Sequence, residues 1–227
     1  MLARYATRLS VAEINSSFYR PHQRKTYQRW ADSVPASFRF SVKLPQTITH
    51  ELGLRGAGPT LDRFLDEVGG LGRKLGGLLM QLPPGLGFDA RTASTFFRML
   101  RARTDLPVAC EPRHAEWFSE QADAMLRRHG VARVAADPAR VPQAALPGGD
   151  PGWRYWRWHG SPRIYYSEYG DAALAGLAAQ VREYGGRGTR TWVIFDNTAH
   201  GFAIPDALRL QALTGRAAKA QPRQRRR

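Results

Sequence analysis

Seven short apolar runs recur along this chain, and each stops at a polar or charged side chain. The stopping points are Glu13-Ile14-Asn15, Lys43, Gln81, Glu111, Asp137, His159 and Asp196-Asn197. Helical patterns separate most of the runs, and that alternation predicts a parallel sheet with helical crossovers. The expected strands are Val11–Asn15, Phe38–Lys43, Gly77–Leu82, Pro107–Glu111, Val131–Ala136, Trp153–Trp158 and Thr191–Phe195. The expected helices are Leu2–Leu9, Lys25–Ser33, Leu61–Val68 capped by Thr60, one begun by Asp89, Ala115–Arg128, Ala172–Tyr184 and Ala203–Leu213. A loop rich in Pro and Gly (Pro138–Gly152) stands where a further helix would be expected. In an α/β barrel the C-terminal ends of the strands open on one mouth, where reactive groups collect. We therefore expect a TIM-type barrel with seven recognisable strands, lacking the first.

At 227 residues the chain fits one domain slightly below the usual size of a complete barrel. We take residues 1–213 as that α/β domain and 214–227 as a basic tail expected to be disordered. No apolar stretch is long enough for a membrane span, and no secretory h-region opens the chain. With the single Cys110 these features predict a cytoplasmic protein without a membrane partner. No Gly-x-Gly-x-x-Gly follows a strand and no phosphate loop is present, which argues against nucleotide-binding open-sheet folds.

The net charge of +15 raises a nucleic-acid reading. Six of those charges come from Arg216, Lys219, Arg223, Arg225, Arg226 and Arg227, leaving nine on the body. Only Lys25, Lys43, Lys74 and Lys219 are lysine among the 34 basic residues, a ratio closer to coding bias than to selected phosphate contacts.

The chain resembles the YecE-like family, domain of unknown function 72. The resemblance rests on Val11-Ala12-Glu13-Ile14-Asn15-Ser16-Ser17-Phe18-Tyr19-Arg20, on Phe38–Pro45 with Ile48-Thr49-His50, and on Lys74–Pro84. It continues through Glu111–Phe118, Tyr155–Gly160 and Phe195–Thr198. The resemblance implies a TIM-type barrel and an uncharacterised enzyme group without an assigned reaction. The family usually opens with a strand carrying Gly-Thr-Ser-Gly-Trp, which does not occur here, so either the start site lies further upstream, the favoured expectation, or the barrel is natively open. Pro112 and Ala115 also depart from the family pattern around Arg113-His114.

Side chains alternate across a strand, so each terminal charge fixes its neighbours. Glu13 inward brings Val11 and Asn15 with it, and Lys43 brings Ser41 while Phe40 and Val42 face helices. Glu111 brings Ala109 inward and turns Cys110 outward, which argues against Cys110 as a nucleophile. His159 brings Arg157 and Tyr155 inward and leaves Trp156 and Trp158 outside. The expected ring sets Glu13, Glu111 and Asp137 against Lys43, Arg157 and Arg113, with His159 between them.

Within that ring Glu111 is the first choice for general acid or base and His159 the second, with Glu13 a further catalytic candidate. Lys43 would stabilise an oxyanion or form a Schiff base. Arg113 and Arg157 would orient a carboxylate or phosphate. Gln81 and Asn197 would donate to hydroxyls, and Asn15, Tyr19, His114 and Asp137 complete the substrate-binding candidates. A divalent metal is chemically conceivable on these carboxylates but not favoured, because adjacent cations compete for them and no metal-ligand spacing occurs. The leading expectation is acid/base chemistry on a small polar or anionic, sugar- or phosphate-like molecule, by a lyase, isomerase or hydrolase. Two alternatives stand beside it: nucleic-acid binding through a basic face and the arginine tail, and an inactive barrel whose mouth charges merely pair.

Overall fold

A computed structural model of the protein describes residues 2–186 and 188–215. Strands β1 (Val11–Ile14), β2 (Arg39–Lys43), β3 (Leu75–Gln81), β4 (Val108–Glu111) and β5 (Val131–Arg133) pair in parallel and in chain order. After Val134 the chain runs on as β6 (Ala135–Asp137). The two-residue β7 (Gly148–Gly149) closes antiparallel on β5. β6 pairs in parallel with β8 (Trp153–Trp158), and β8 with β9 (Arg190–Phe195). Two hydrogen-bonded sheets, of six and three strands, are thus joined through one nearly continuous strand. All seven expected runs form strands, and the fold is mixed α/β with a parallel sheet.

Helices fill the crossovers: α1 (Leu2–Tyr5), α2 (Ser16–Tyr19), α3 (Arg24–Asp32), α4 (Gly58–Val68), α5 (Ala90–Arg101), α6 (Glu120–Arg128), α7 (Asp171–Tyr184) and α8 (Ala203–Leu213). Asp89 caps α5 as its position predicts, accepting from the Thr92 amide at 2.7 Å. Gly130, one residue past the His129 cap of α6, takes the left-handed conformation that ends helices (φ 61°). Several expectations need correction. Thr60 lies inside α4, which starts earlier, at Gly58 after Ala57. The expected helix Ala115–Arg128 is two pieces, because Ser119 breaks it and caps α6 by accepting from Ala122 N. α1 stops at Tyr5 instead of reaching Leu9, and the loop after Asp137 carries a short 3₁₀ turn (Pro142–Ala145) besides β7.

The core divides as the alternation requires. One apolar cluster, with Phe40, Val42, Leu78, Met80 and Cys110, lies between the larger sheet and its helices. A second, with Trp156, Trp158 and Phe195, lies under α7 and α8. The third occupies the concave side and takes Leu79, Ala109, Ala132, Val134, Trp153, Tyr155 and Trp192, with Val11 and Ile194 against it. Contributions from both ends of the strand series show that the sheet curls around this inner cluster. The ring is not closed by hydrogen bonds: among the described residues β1 pairs only with β2, and β9 only with β8. A crevice of about 580 Å³ follows the seam, lined by β1, β9 and apolar residues of α8, with Glu13, Asn15 and Asp196 on its wall.

Trp153 fits because β3 has no side chain opposite it. A Cβ at Gly77 would fall 2.6 Å from the Trp153 ring and 2.7 Å from the Pro107 carbonyl oxygen. We predict that Gly77→Ala destabilises the protein by about 1–3 kcal/mol through overpacking. An unchanged urea midpoint would show that the two strands separate without cost.

Candidate functional site

The ends of four strands, β1, β4, β8 and β9, meet around one guanidinium. Arg157 of β8 is fully buried and donates from Nε to Glu13 Oε2 (3.0 Å) and from Nη2 to Glu13 Oε1 (2.6 Å). Its Nη1 donates to Glu111 Oε2 (2.5 Å) and Nη2 also reaches Asp196 Oδ2 (3.2 Å). The fork geometry suits this, since a planar guanidinium serves two carboxylates at once. Tyr155, two residues earlier on the same face, donates to Glu13 Oε2 (2.8 Å) and shares a hydrogen bond with Ser41 of β2 (2.7 Å).

Glu111 is the most heavily bonded carboxylate. Gln81 Nε2 donates to its Oε1 at 3.0 Å, Arg113 Nε and Nη2 approach that oxygen at 3.3 Å, and His159 Nε2 lies 3.3 Å away. Burial alone would raise its pKa, but Arg157, His159 and Arg113 outweigh that and hold it well below the carboxylate range. A carboxylate held so firmly ionised is a poor general acid or base at neutral pH. Its hydrogen bonds tie the imidazole and both guanidinia to β4.

His159 bridges two carboxylates, with Nδ1 3.2 Å from Asp196 Oδ2 and Nε2 on Glu111. Burial pulls its pKa down, yet the hydrogen bonds to Asp196 and Glu111 prevail and raise it, favouring the imidazolium. Lys43 differs from every other cation here. Its side chain is buried (6% exposed), it forms no salt bridge among the described residues, and its Nζ stands 3.9 Å above the Phe18 ring centre. Burial first, and then Arg157, lowers its pKa to about 8 against the pull of Glu111 and Glu13. His50, from the segment after β2, packs edge-on against Phe18, and its pKa is lowered by burial and by the charges of Lys43 and Arg113. One residue past the last β1–β2 pairing, Ile14 with Val42, stand Asn15 and Lys43. Asn15 Oδ1 is buried with no hydrogen-bond partner.

Glu13, Lys43, Gln81, Arg113, Glu111, Arg157 and His159 therefore come together, with Asn15 at their edge. Four other expectations change. Asp137 does not join the ring: it accepts from the Tyr169 hydroxyl at 2.7 Å, and Asp196 takes its place. Asn197 is fully buried and turned away, donating to Asp206 Oδ2 (2.8 Å) and the Ser167 carbonyl (3.0 Å). His114 accepts from the Glu116 amide (3.3 Å) and is bound up with that turn. Tyr19 is 72% exposed and contributes only an edge contact to Phe18. Sequence reasoning overlooked Phe18 as a site neighbour, turned Tyr155 inward without giving it a role, and left Asp196 outside the ring although a strand end signalled it.

Cys110 is buried on the helix side with its thiol pushed up by burial, which agrees with its exclusion as a nucleophile. The carboxylates of Glu13, Glu111 and Asp196 are turned onto Arg157, and no trio of His, Cys, Asp or Glu suited to a metal occurs among the described residues. In charge terms, Glu13, Glu111 and Asp196 offset Arg157, Arg113 and Lys43. A protonated His159 leaves one positive charge over. The arginine tail invoked for polyanion binding lies outside the described residues. Among the described residues no helix is long and apolar enough to cross a membrane.

Comparison with known proteins adds family and fold. The family model described as "Protein of unknown function DUF72" matches residues 1–227. UPF0759 protein YecE of Escherichia coli K12 is 28% identical over 152 residues, covering 64% of this chain and 55% of the relative. UPF0759 protein YunF of Bacillus subtilis 168 is 25% identical over 158 residues with the same coverage. The matched stretch thus spans little more than half the length of these relatives. Among solved structures, a DUF72 family protein of Enterococcus faecalis V583 superposes with a TM-score of 0.83 at 21% identity, covering 99% of this chain and 92% of the other. One from Thermotoga maritima MSB8 gives 0.77 at 24% identity, covering 91% and 85%.

Two predictions follow from the charges. Arg157→Met leaves Glu13 and Glu111 buried without their main partner and should cost about 3–5 kcal/mol, read from chemical denaturation. Lys43→Met should instead stabilise the protein at pH 7, by on the order of 2 kcal/mol. A lysine whose folded pKa is lowered penalises folding below that pKa, and the penalty is relieved as pH rises. The advantage of Lys43→Met should therefore shrink from about pH 8 upward and vanish near the unfolded lysine pKa of about 10.4. A pH-independent difference would contradict the assignment.

Proposed function

The chain belongs to the DUF72 family, and from that premise we propose an enzyme of the TIM-barrel type doing acid/base chemistry on a small anionic molecule at the strand ends. One observation carries this reading: Lys43 is buried and forms no salt bridge among the described residues, beside a cluster whose carboxylates are engaged by Arg157, Arg113 and His159. Burying a charge without a partner costs stability, and an apolar side chain would fill the position more cheaply. A cation held there at that cost fits a ligand that supplies the missing negative charge.

The roles follow from the bonds. Lys43 and the exposed side of Arg113 (side chain 26% exposed) receive the anionic or developing negative group of the substrate. His159, held as imidazolium between Asp196 and Glu111, is the proton donor, and returns to that state by taking a proton back. Glu111 and Glu13 keep Arg157 and His159 in place. Asn15, with its idle carbonyl oxygen, accepts from a substrate hydroxyl or ammonium. Sugar acids, sugar phosphates and oxo acids meet these requirements.

A second reading, a barrel used as a scaffold, is favoured by the complete satisfaction of Arg157. Turnover separates the two. Small sugar phosphates, sugar acids and oxo acids incubated with the protein in D₂O, and followed by NMR, should show conversion or carbon-bound deuterium. His159→Gln should lower that rate by about 10²–10⁴-fold. Turnover of any panel member that is unchanged in both His159→Gln and Lys43→Met would remove the proposed site, and none across the panel would favour the scaffold.

A further inference from the structure

We propose that Lys43 is an imine-forming nucleophile, and that the molecule it takes is a small oxo acid whose carboxylate is held by Arg113. The inference rests on the acid/base reading above and narrows its substrate class.

Three features of the geometry support it. First, an amine that is to attack a carbonyl must be free of carboxylates, since an ion pair keeps it protonated and occupies its hydrogens. Lys43 meets this: Glu13, Glu111 and Asp196 direct their oxygens to Arg157, Arg113 and His159 instead. The contrast with Lys74, whose Nζ is spent on the Ala31 and Val34 carbonyls, is direct. Second, the face beneath the amine is the Phe18 ring, a cation–π contact that positions the nitrogen without tying up its hydrogens on a carboxylate. Third, Arg113 bonds Glu111 through Nε and Nη2, Nη1 makes no hydrogen bond among the described residues, and the side chain is 26% exposed, which leaves that edge for a second carboxylate. The lowered pKa of about 8 is consistent, because it leaves a usable fraction of neutral amine near physiological pH.

The step balances without an oxidant. The neutral Nζ lone pair forms a bond to the carbonyl carbon while the C=O π pair moves to oxygen, giving a carbinolamine after proton transfer. The C–O bond then breaks and the oxygen leaves as water, having gained the two protons that the nitrogen loses. The resulting imine, once protonated, withdraws electrons from the adjacent carbon, and the acid/base group assigned above can then exchange a proton there.

The test uses the full chain with pyruvate and sodium cyanoborohydride, which reduces an imine to a stable amine, followed by peptide mass mapping. Exposed Lys25 is the internal reference. We expect labelling at Lys43 at least about tenfold above Lys25 at pH 7.5, with the Lys43 labelling rising through about pH 8. Arg113→Gln should reduce pyruvate labelling of Lys43 yet leave labelling by acetaldehyde, which has no carboxylate. Labelling of Lys43 no greater than Lys25, or insensitive to Arg113→Gln, would overturn the proposal. The broader reading is scored separately: a panel substrate turned over in a His159-dependent way with Lys43 unlabelled retains acid/base chemistry and removes the imine. Labelled Lys43 without any His159-dependent deuterium exchange in pyruvate does the reverse.

Discussion

A single guanidinium holds this molecule's interior charges in order. Arg157 reaches Glu13 on the first strand, Glu111 on the fourth and Asp196 just past the last, so the positions of three distant segments depend on one planar donor set. Because every one of these groups is buried or nearly so, none can reorient toward water to compensate for a misplaced neighbour. The apolar cluster beneath it, with Trp153, Tyr155 and Trp192, sets the depth at which the arginine lies, and Tyr155 ties that cluster to Glu13. Packing below and ion pairing above are therefore one arrangement.

Against that saturated centre, Lys43 stands out by what it does not touch. Pairing is so complete for Glu13, Glu111 and Asp196 that no acceptor is left over for an ammonium only one strand away. The neighbouring Asn15 carbonyl oxygen has the complementary deficit, an acceptor without a donor. These two unmet requirements stand at adjacent strand ends, and Asn15 also lines the crevice along the seam.

Much of this was readable from residue order alone. Period-two alternation assigned Ser41, Ala109, Tyr155 and Arg157 to the concave side and Phe40, Cys110, Trp156 and Trp158 to the helices, because a strand buried on both faces has no other freedom. What escaped depends on lateral neighbours. Asp137 ends a run as Asp196 does, yet the strand carrying it is interrupted near Val134, and Tyr169 from a distant loop claims its carboxylate. Asn197 was drawn away by Asp206 of α8, a partner that no local pattern announces. Phe18 and His50 lie on short turns after strand ends, where neither periodicity applies. Glu111 was found in place, but the four donors that hold its carboxylate come from elsewhere in the chain and no local pattern announces them.

The seam between β1 and β9 has a mechanical meaning. Where a closed cylinder would be stitched edge to edge by backbone amides, here the first strand is tethered across the hollow by the Arg157 fork and the Tyr155 hydroxyl, both gripping Glu13. Such a tether is narrow, joining the first strand to β8 through one side chain, as a cuff is fastened by one button. The joining of those two edges therefore hangs on a single carboxylate.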